Sequence, residues 1–135
     1  MKRTDLSKSI EQLENDIWPA VNFPTPLVEK CYLYRKIPVK ELSVEELRLL
    51  IGQNIGLPFI MPQAFDILSN NILAEGDLYE GDLLNAVLSV DNKFWNSHTD
   101  WLAAFRALVK QKRVEVESKN IDNTHKQLLK KIDSF

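Results

Sequence analysis

The sequence predicts an all-α protein, a single-domain multi-helix bundle, and three observations favour this fold class. Apolar residues recur at steps of three and four in several segments, which is the spacing of one face of an α-helix. Capping residues and prolines occur where such helices would begin and end. Strand patterns are few, and the chain lacks the Asn-Gly and Asp-Gly pairs that favour tight hairpins.

The first predicted helix has an apolar stripe with four-three-four spacing, formed by Leu6, Ile10, Leu13 and Ile17. We expect Thr4 or Asp5 to cap its start and Pro19 to end it. A second helix is predicted from about Pro26 to residue 36, because proline suits the first helical turn, where its missing N–H has no helical partner. We expect Pro38 to close this helix.

The segment Ser43-Val44-Glu45-Glu46 is a capping box, in which the serine and the second glutamate each accept the other's backbone N–H. We expect a third helix behind it, ended by Gly56 in the left-handed conformation. Residues 57–70 are apolar at their start and predict a mostly buried helix. Residues 71–82 contain two glycines and four acidic residues, and we interpret them as a compact turn region. Both of these glycines are expected to adopt a positive φ.

Three further helices are predicted to begin at capping residues, namely Asp82, Asp91 and Thr99. Residues 114–118 alternate like a strand, which leaves open whether they bend, pair or continue the helix. The final helix has a stripe formed by Ile121, His125, Leu128 and Ile132. We expect one domain over residues 1–135, with a basic helical extension from about residue 106.

Charge is distributed unevenly, although the formal net charge is only −2. Residues 41–105 contain two Lys/Arg and ten Asp/Glu, a net charge of −8, whereas residues 106–135 carry +4. A segment this acidic repels phosphate backbones and attracts cationic surfaces, which argues against nucleic acid as its partner. No apolar run reaches the roughly 20 residues of a membrane-spanning helix. The lone Cys31 fits a reducing compartment, so we expect a cytoplasmic protein.

Candidates for catalysis or metal binding are few. Neither His98 nor His125 has a second histidine or cysteine at the spacing of a zinc site. Cys31 lacks a neighbouring pattern that would activate a thiolate, so we expect a buried apolar side chain. The sequence therefore predicts neither an enzyme nor a protein that holds a metal or cofactor.

The acidic residues of the turn region are stronger candidates for function. Glu75, Asp77, Glu80 and Asp82 lack the spacing of a calcium loop and have no partner histidine or nucleophile. Two interpretations remain open, a solvated turn and an acidic surface that binds a protein.

Several segments between residues 13 and 95 occur in an order and spacing typical of one protein family. They are Leu13-Glu14-Asn15-Asp16-Ile17-Trp18, Leu27-Val28-Glu29-Lys30-Cys31 with Arg35-Lys36, Leu42-Ser43-Val44-Glu45-Glu46-Leu47-Arg48, Ile51-Gly52-Gln53-Asn54-Ile55-Gly56-Leu57, Leu73-Ala74-Glu75-Gly76-Asp77-Leu78-Tyr79-Glu80-Gly81-Asp82-Leu83-Leu84 and Phe94-Trp95. In these segments the chain resembles the immunity proteins of bacterial contact-dependent growth inhibition systems (the CdiI family).

The resemblance implies a cytosolic protein that binds and blocks the C-terminal toxin domain of the cognate surface effector, CdiA, without catalysis. Such toxins are commonly nucleases, whose positive cleft an acidic domain can occupy. On the charge count alone, the predicted toxin-binding residues are Glu75, Asp77, Tyr79, Glu80 and Asp82, with Glu45 and Glu46 as further candidates. The alternatives are a helical protein-protein adaptor for another cationic partner and a hydrolase that uses His98 with an acid.

Overall fold

The computed structural model describes residues 5–20, 22–119 and 123–135, and over these residues the fold is all-α. The elements are α1 (Ile10–Glu14), α2 (Pro26–Tyr34), a 3₁₀ helix (Val39–Glu41), α3 (Val44–Gly52), α4 (Leu57–Asn70), α5 (Asp82–Leu88), α6 (Asn92–Ser97), α7 (Thr99–Ser118) and α8 (Asn123–Ser134). Pairing of β type within the described ranges is confined to two isolated bridges, Ser9 with Pro38 and Glu75 with Glu80. The predicted fold class is confirmed.

Helix α1 is shorter than predicted, because it begins and ends inside the predicted range. Ser9 caps it through a capping box, whereas Asp5 accepts hydrogen bonds from a serine outside the helix. Asn15 ends the helix in the left-handed conformation, at φ 51°, before the predicted proline is reached. Ile17 therefore lies beyond the helix and is 74% exposed. Thr4, the other predicted cap, lies outside the described residues.

Helices α2 and α3 begin where the sequence predicts. Thr25 caps α2 and Pro26 occupies its first turn. The helix ends at Tyr34, slightly earlier than predicted. Ser43 and Glu46 form the predicted capping box of α3, so the local pattern alone located this helix start.

The expectation that Gly56 ends α3 is wrong. Helix α3 already ends at Gly52, and Gly56 is the N-cap of α4, with a φ of 63°. A Cβ atom on Gly56 would lie 2.9 Å from the side chain of Ile10. Glycine is therefore required both by the backbone conformation and by the close approach of α1.

One of the three predicted caps in the second half of the chain is confirmed. Asp91 caps α6 by accepting a backbone N–H at 2.7 Å. Asp82 is not a cap, because Gly81 occupies the N-cap position of α5 with a φ of 92°. Thr99 is not a cap either, since α7 begins at this residue and His98 precedes it.

Helix α7 continues through residues 114–118, so the alternating pattern there does not break it. Residue 106, where the basic extension is predicted to begin, lies inside this helix. Helix α8 turns back onto α7 and also packs against α5. Arg113 of α7 donates to both carboxylate oxygens of Asp133 of α8, at 2.8 and 2.9 Å. The basic end of the chain therefore lies against its acidic middle.

The hydrophobic core forms where α3 packs on α4 and α5 and where α7 packs on α4. Its fully buried members include Leu47, Leu50, Ile60, Met61, Leu68, Leu83 and Phe105. Phe105 stacks on Trp95 and on Phe65, with ring centroids 5.6 and 5.4 Å apart. Each buried side chain of this size stabilises the fold by about 1.5–3 kcal/mol. This core fixes α3 and α5, between which the candidate site lies.

None of the described helices is both long enough and apolar enough to cross a membrane.

Candidate protein-binding site

Most of the predicted site residues lie in the segment that joins α4 to α5, and we call residues 75–82 the acidic loop. Its ends are tied together, since Glu75 and Glu80 form a β-bridge and the N–H of Gly81 donates to the Leu73 carbonyl at 3.2 Å. Gly81 has the positive φ that the sequence predicts, at 92°. The loop is therefore a closed turn anchored at the start of α5.

Gly76 does not have a positive φ, so the expectation for this glycine is wrong. A Cβ atom on Gly76 would lie 2.6 Å from the Oε1 atom of Glu45 and 3.2 Å from the Cα atom of the same residue. Glycine is required at this position because the acidic loop approaches the backbone of α3 closely.

Asp82 is turned into the protein and is only 2% exposed. Its Oδ1 atom accepts the N–H of Gly76 at 2.6 Å. Its Oδ2 atom accepts the N–H groups of Leu78 and Tyr79, at 3.0 and 3.4 Å. The Nε atom of Arg48 lies 3.8 Å from Oδ2. Asp82 therefore shapes the acidic loop from inside, with its carboxylate buried beneath the loop backbone.

Glu45 of α3 also holds the acidic loop, by accepting a backbone N–H of the loop. Its carboxylate pairs with both Nε and Nη2 of Arg48, and Oε1 also accepts the N–H of Asp77 at 2.8 Å. The hydrogen bond from Arg48 holds the pKa of the Glu45 carboxyl below its ordinary value, and the Asp77 N–H acts in the same direction. Arg48 thus joins Glu45 to Asp82 and links the helix to the loop.

Glu46 has a local role, because its side chain accepts the N–H of Ser43 at 2.9 Å in the capping box. The pKa of the Tyr34 hydroxyl is raised first by burial and then by the negative charges of Glu46, Glu45 and Asp77. These three carboxylates therefore lie close enough to one tyrosine to act on it together. The structure brings the two candidates on α3 to the same region as the acidic loop.

Glu80 contacts α8, although 42% of its side chain is still exposed to solvent. The Nε2 atom of His125, whose side chain is 7% exposed, lies 3.2 Å from Glu80 Oε1. The next residue, Gly81, is so close to α8 that a Cβ atom there would lie 2.7 Å from Cδ1 of Leu128. Helix α8 therefore covers one side of the acidic loop.

The exposed part of the loop is formed by Glu75, Asp77 and Leu78. Leu78 is 62% exposed and follows the exposed Asp77, so an apolar side chain stands beside an accessible carboxylate. Sequence reasoning about charge missed this residue. The available signal was an apolar side chain at the tip of a predicted polar turn.

A half-open cleft of about 390 Å³ lies beside the loop, between the end of α3 and the face of α5. It is lined by Arg48, Ile51, Gly52, Asn54, Leu78, Tyr79, Asp82, Asn85, Ala86, Ser89, Val90 and Asp91. Burial, and to a smaller extent the charge of Asp82, raises the pKa of the Tyr79 hydroxyl, which therefore stays protonated at neutral pH. We call this feature the cleft.

The histidines and the cysteine occupy structural positions. The Nδ1 atom of His98 lies 2.9 Å from the Phe94 carbonyl oxygen, and the ring of His98 stacks on that of Phe94. Cys31 is 3% exposed, and burial raises the pKa of its thiol. In the part of the chain that the structure describes, no group of three or more His, Cys, Asp or Glu residues is arranged to hold a metal ion.

Comparison with known families identifies the class of protein to which this acidic surface belongs. A family model described as CDI immunity proteins, where CDI stands for contact-dependent growth inhibition, matches residues 12–105. The chain belongs to this family. No curated protein matches the chain significantly.

In this CDI immunity protein, the match includes the acidic loop, the cleft and both candidate residues of α3. It ends inside α7, so residues 106–118 of that helix and all of α8 lie beyond it. The region that distinguishes the family therefore includes every predicted site residue, while the helix that covers one side of the loop is additional to it.

Proposed function

We propose that this CDI immunity protein acts in the cytoplasm by binding and neutralising the C-terminal toxin domain of its cognate CdiA effector. Membership of the family is the observation that supports this function most directly. The geometry supports a binding role as well, since the acidic loop presents exposed carboxylates and an exposed leucine on a fixed backbone. Binding rather than chemistry is what such a surface can perform.

The charge distribution favours a nuclease as the toxin. A nuclease needs a positive surface to hold phosphates, and residues 41–105 of this chain carry a net charge of −8. Opposite charges accelerate encounter between two proteins, to about 10⁸–10⁹ M⁻¹s⁻¹ at low salt. Fast association is useful for an inhibitor, because each free toxin molecule acts repeatedly.

Preorganisation of the loop favours tight binding. Asp82 and Glu45 together accept four backbone N–H groups of the acidic loop, at residues 76, 77, 78 and 79. A loop already held in one conformation loses little conformational entropy when it binds. The carboxylates that hold the loop therefore contribute to affinity without contacting the partner.

Co-expression of the chain with the C-terminal toxin domain of its cognate CdiA effector tests the proposal. We expect the chain and that domain to elute from a sizing column as one complex, and expect the chain to suppress the toxicity of the domain in cells. Two separate peaks, or cells that survive the toxin equally well without the chain, would contradict the proposed function.

Assays of the purified toxin domain test the nuclease assignment. We expect cleavage of DNA or RNA by the free toxin domain, and loss of cleavage when one equivalent of the chain is added. Competition between the chain and an uncleavable nucleic acid indicates that the active cleft is covered. If the toxin binds the chain and the nucleic acid at the same time, the chain blocks the toxin from a site outside the toxin's active site.

A further inference from the structure

Within the described residues two features border the acidic loop, helix α8 on one side and the cleft on another. Helix α8 lies against one side, through Glu80 with His125 and Gly81 beside Leu128. The other side borders the cleft, where Leu78 and Tyr79 form part of the lining. A protein that binds the acidic loop therefore also meets the cleft.

The cleft offers apolar contact in an acidic setting. Its floor includes Ile51 and Val90, which are 1% and 7% exposed, and Leu78 stands at its edge with 62% of its surface exposed. A volume of about 390 Å³ lies near the lower end of the roughly 300–1,000 Å³ range of binding pockets. This space suits a single long side chain with an apolar stem.

Charge selects the kind of side chain. Among the described residues of the lining only Arg48 is cationic, and Glu45 already pairs with it through two hydrogen bonds. Asp82 is buried beside Arg48, so the exposed carboxylate of Asp91 supplies the accessible negative charge of the lining. A positively charged head group is therefore favoured in the cleft and a negatively charged one is repelled.

An ammonium group of the chain itself already binds at the margin of the cleft. Nζ of Lys131 donates to Oδ1 of Asn85 at 2.5 Å and to Oγ of Ser89 at 3.0 Å. Both acceptors belong to the lining of the cleft. The α5 wall therefore carries oxygen atoms at positions where they hold a lysine head group.

We propose that the cleft receives an arginine or lysine side chain of the toxin domain, with its aliphatic stem against Leu78 and its charge facing Asp91. This inference rests on the proposed function and adds to it the surface and the chemistry of the contact. Leu78 then provides the desolvated centre of the interface, and Asp91 lies on its rim. Residues at the centre of an interface mainly govern the dissociation rate, and charged residues at its rim mainly govern the association rate. Substitutions of Leu78 and Asp91 should therefore change different rate constants.

Binding kinetics of the full chain with the co-purified toxin domain test the inference. We expect Leu78→Ser to raise the dissociation rate about tenfold, because a truncated centre residue typically lowers affinity by this factor. We expect Asp91→Asn to slow association roughly threefold at low salt and to leave dissociation nearly unchanged. Asparagine is as good an N-cap as aspartate, so α6 is retained.

Matched variants elsewhere on the surface provide the controls. Ile17→Ser removes another exposed aliphatic side chain, 74% exposed against 62% for Leu78, and Glu29→Gln removes an exposed charge from α2. Both are expected to bind within about twofold of the unmodified protein.

The outcomes separate this inference from the proposed function. If the unmodified chain binds but Leu78→Ser binds equally well, or Ile17→Ser is the weaker of the two, the cleft is not the contact and the proposed function stands. If Asp91→Asn binds faster, the occupant is not cationic. If the unmodified chain does not bind the toxin domain, the proposed function fails, and this inference fails with it.

Discussion

Asp82 and Asp77 are neighbouring carboxylates of one loop, yet they have different roles. Asp82 is buried and accepts three backbone N–H groups, whereas Asp77 is exposed and uses its own N–H to bind Glu45. A buried carboxylate that satisfies several donors stabilises the fold, and its loss leaves those donors unpaired. An exposed carboxylate contributes to the electrostatic field instead.

We expect Asp82→Asn to lower the free energy of unfolding by about 2 kcal/mol. The amide of asparagine would place an N–H₂ group against loop N–H donors, and the charge that faces Arg48 would be lost. Urea denaturation measures the change. Asp77→Asn is the control, with an expected change within about 0.5 kcal/mol, and equal effects of the two substitutions would contradict the structural role of Asp82.

Glu45 gives the stability of the protein a dependence on acid pH. Its pKa is lower in the folded state than in the unfolded chain, so its contribution is complete above the unfolded pKa and is lost as the pH falls through the folded pKa. We expect the difference in stability between the unmodified protein and Glu45→Gln to shrink between about pH 5 and pH 3. Denaturation curves over this range measure it, and a constant difference would contradict the assignment.

At the scale of the elements, glycines and caps decide where helices begin and how closely they approach. Gly81 combines a φ of 92° with a position against Leu73 and Leu128. The strain of a positive φ and the contact with α8 both oppose any side chain at this position. The start of α5, the acidic loop and α8 are therefore fitted to one another at a single residue.

We expect Gly81→Ala to lower the free energy of unfolding by about 2 kcal/mol. Alanine would have to hold a left-handed backbone conformation, and its Cβ would displace Leu128. Gly52→Ala is a matched control, since no atom lies within 4 Å of its added Cβ and its φ is not left-handed. That variant is expected to be neutral or slightly more stable. Thermal denaturation of the two variants distinguishes the positions, and a stable Gly81→Ala would show that the turn tolerates a side chain.

Element boundaries show how far local patterns suffice. The capping box at Ser43 and the cap at Asp91 are local interactions, and the sequence predicted both. Gly56 has the predicted left-handed conformation but starts α4 instead of ending α3, because α3 already ends at Gly52. Periodicity likewise extended α1 to Ile17, although Asn15 ends it in a left-handed conformation that periodicity does not detect.

At the scale of the whole molecule, the acidic middle and the basic end lie against each other. Several of the ten acidic residues in 41–105 are used inside the fold, because Glu45 and Asp82 face Arg48 and Glu80 lies beside His125 of α8. The charge count located the acidic loop. A charge count cannot distinguish buried from exposed carboxylates, and it cannot identify the exposed Leu78. Tertiary packing decides the burial of each side chain.

We expect the double variant Glu75→Lys, Asp77→Lys to associate with the toxin domain about tenfold more slowly at low salt. The effect should decrease as salt is added, because exposed charges are screened. Stopped-flow association rates at several salt concentrations measure it. Asp16→Lys with Glu29→Lys changes the net charge equally on another surface, and an equal effect there would mean that total charge, not the loop, governs association.

The family match ends at residue 105, yet the acidic loop rests on a helix that begins at residue 123. An exchange of residues 75–82 between related immunity proteins would therefore place residues 80 and 81 of one protein against α8 of another. Under the proposed function, the unit to transfer for a new specificity is the acidic loop together with α8. Chimaeras that receive both segments should keep the loop conformation of the donor protein. Chimaeras that receive the loop alone should lose that conformation.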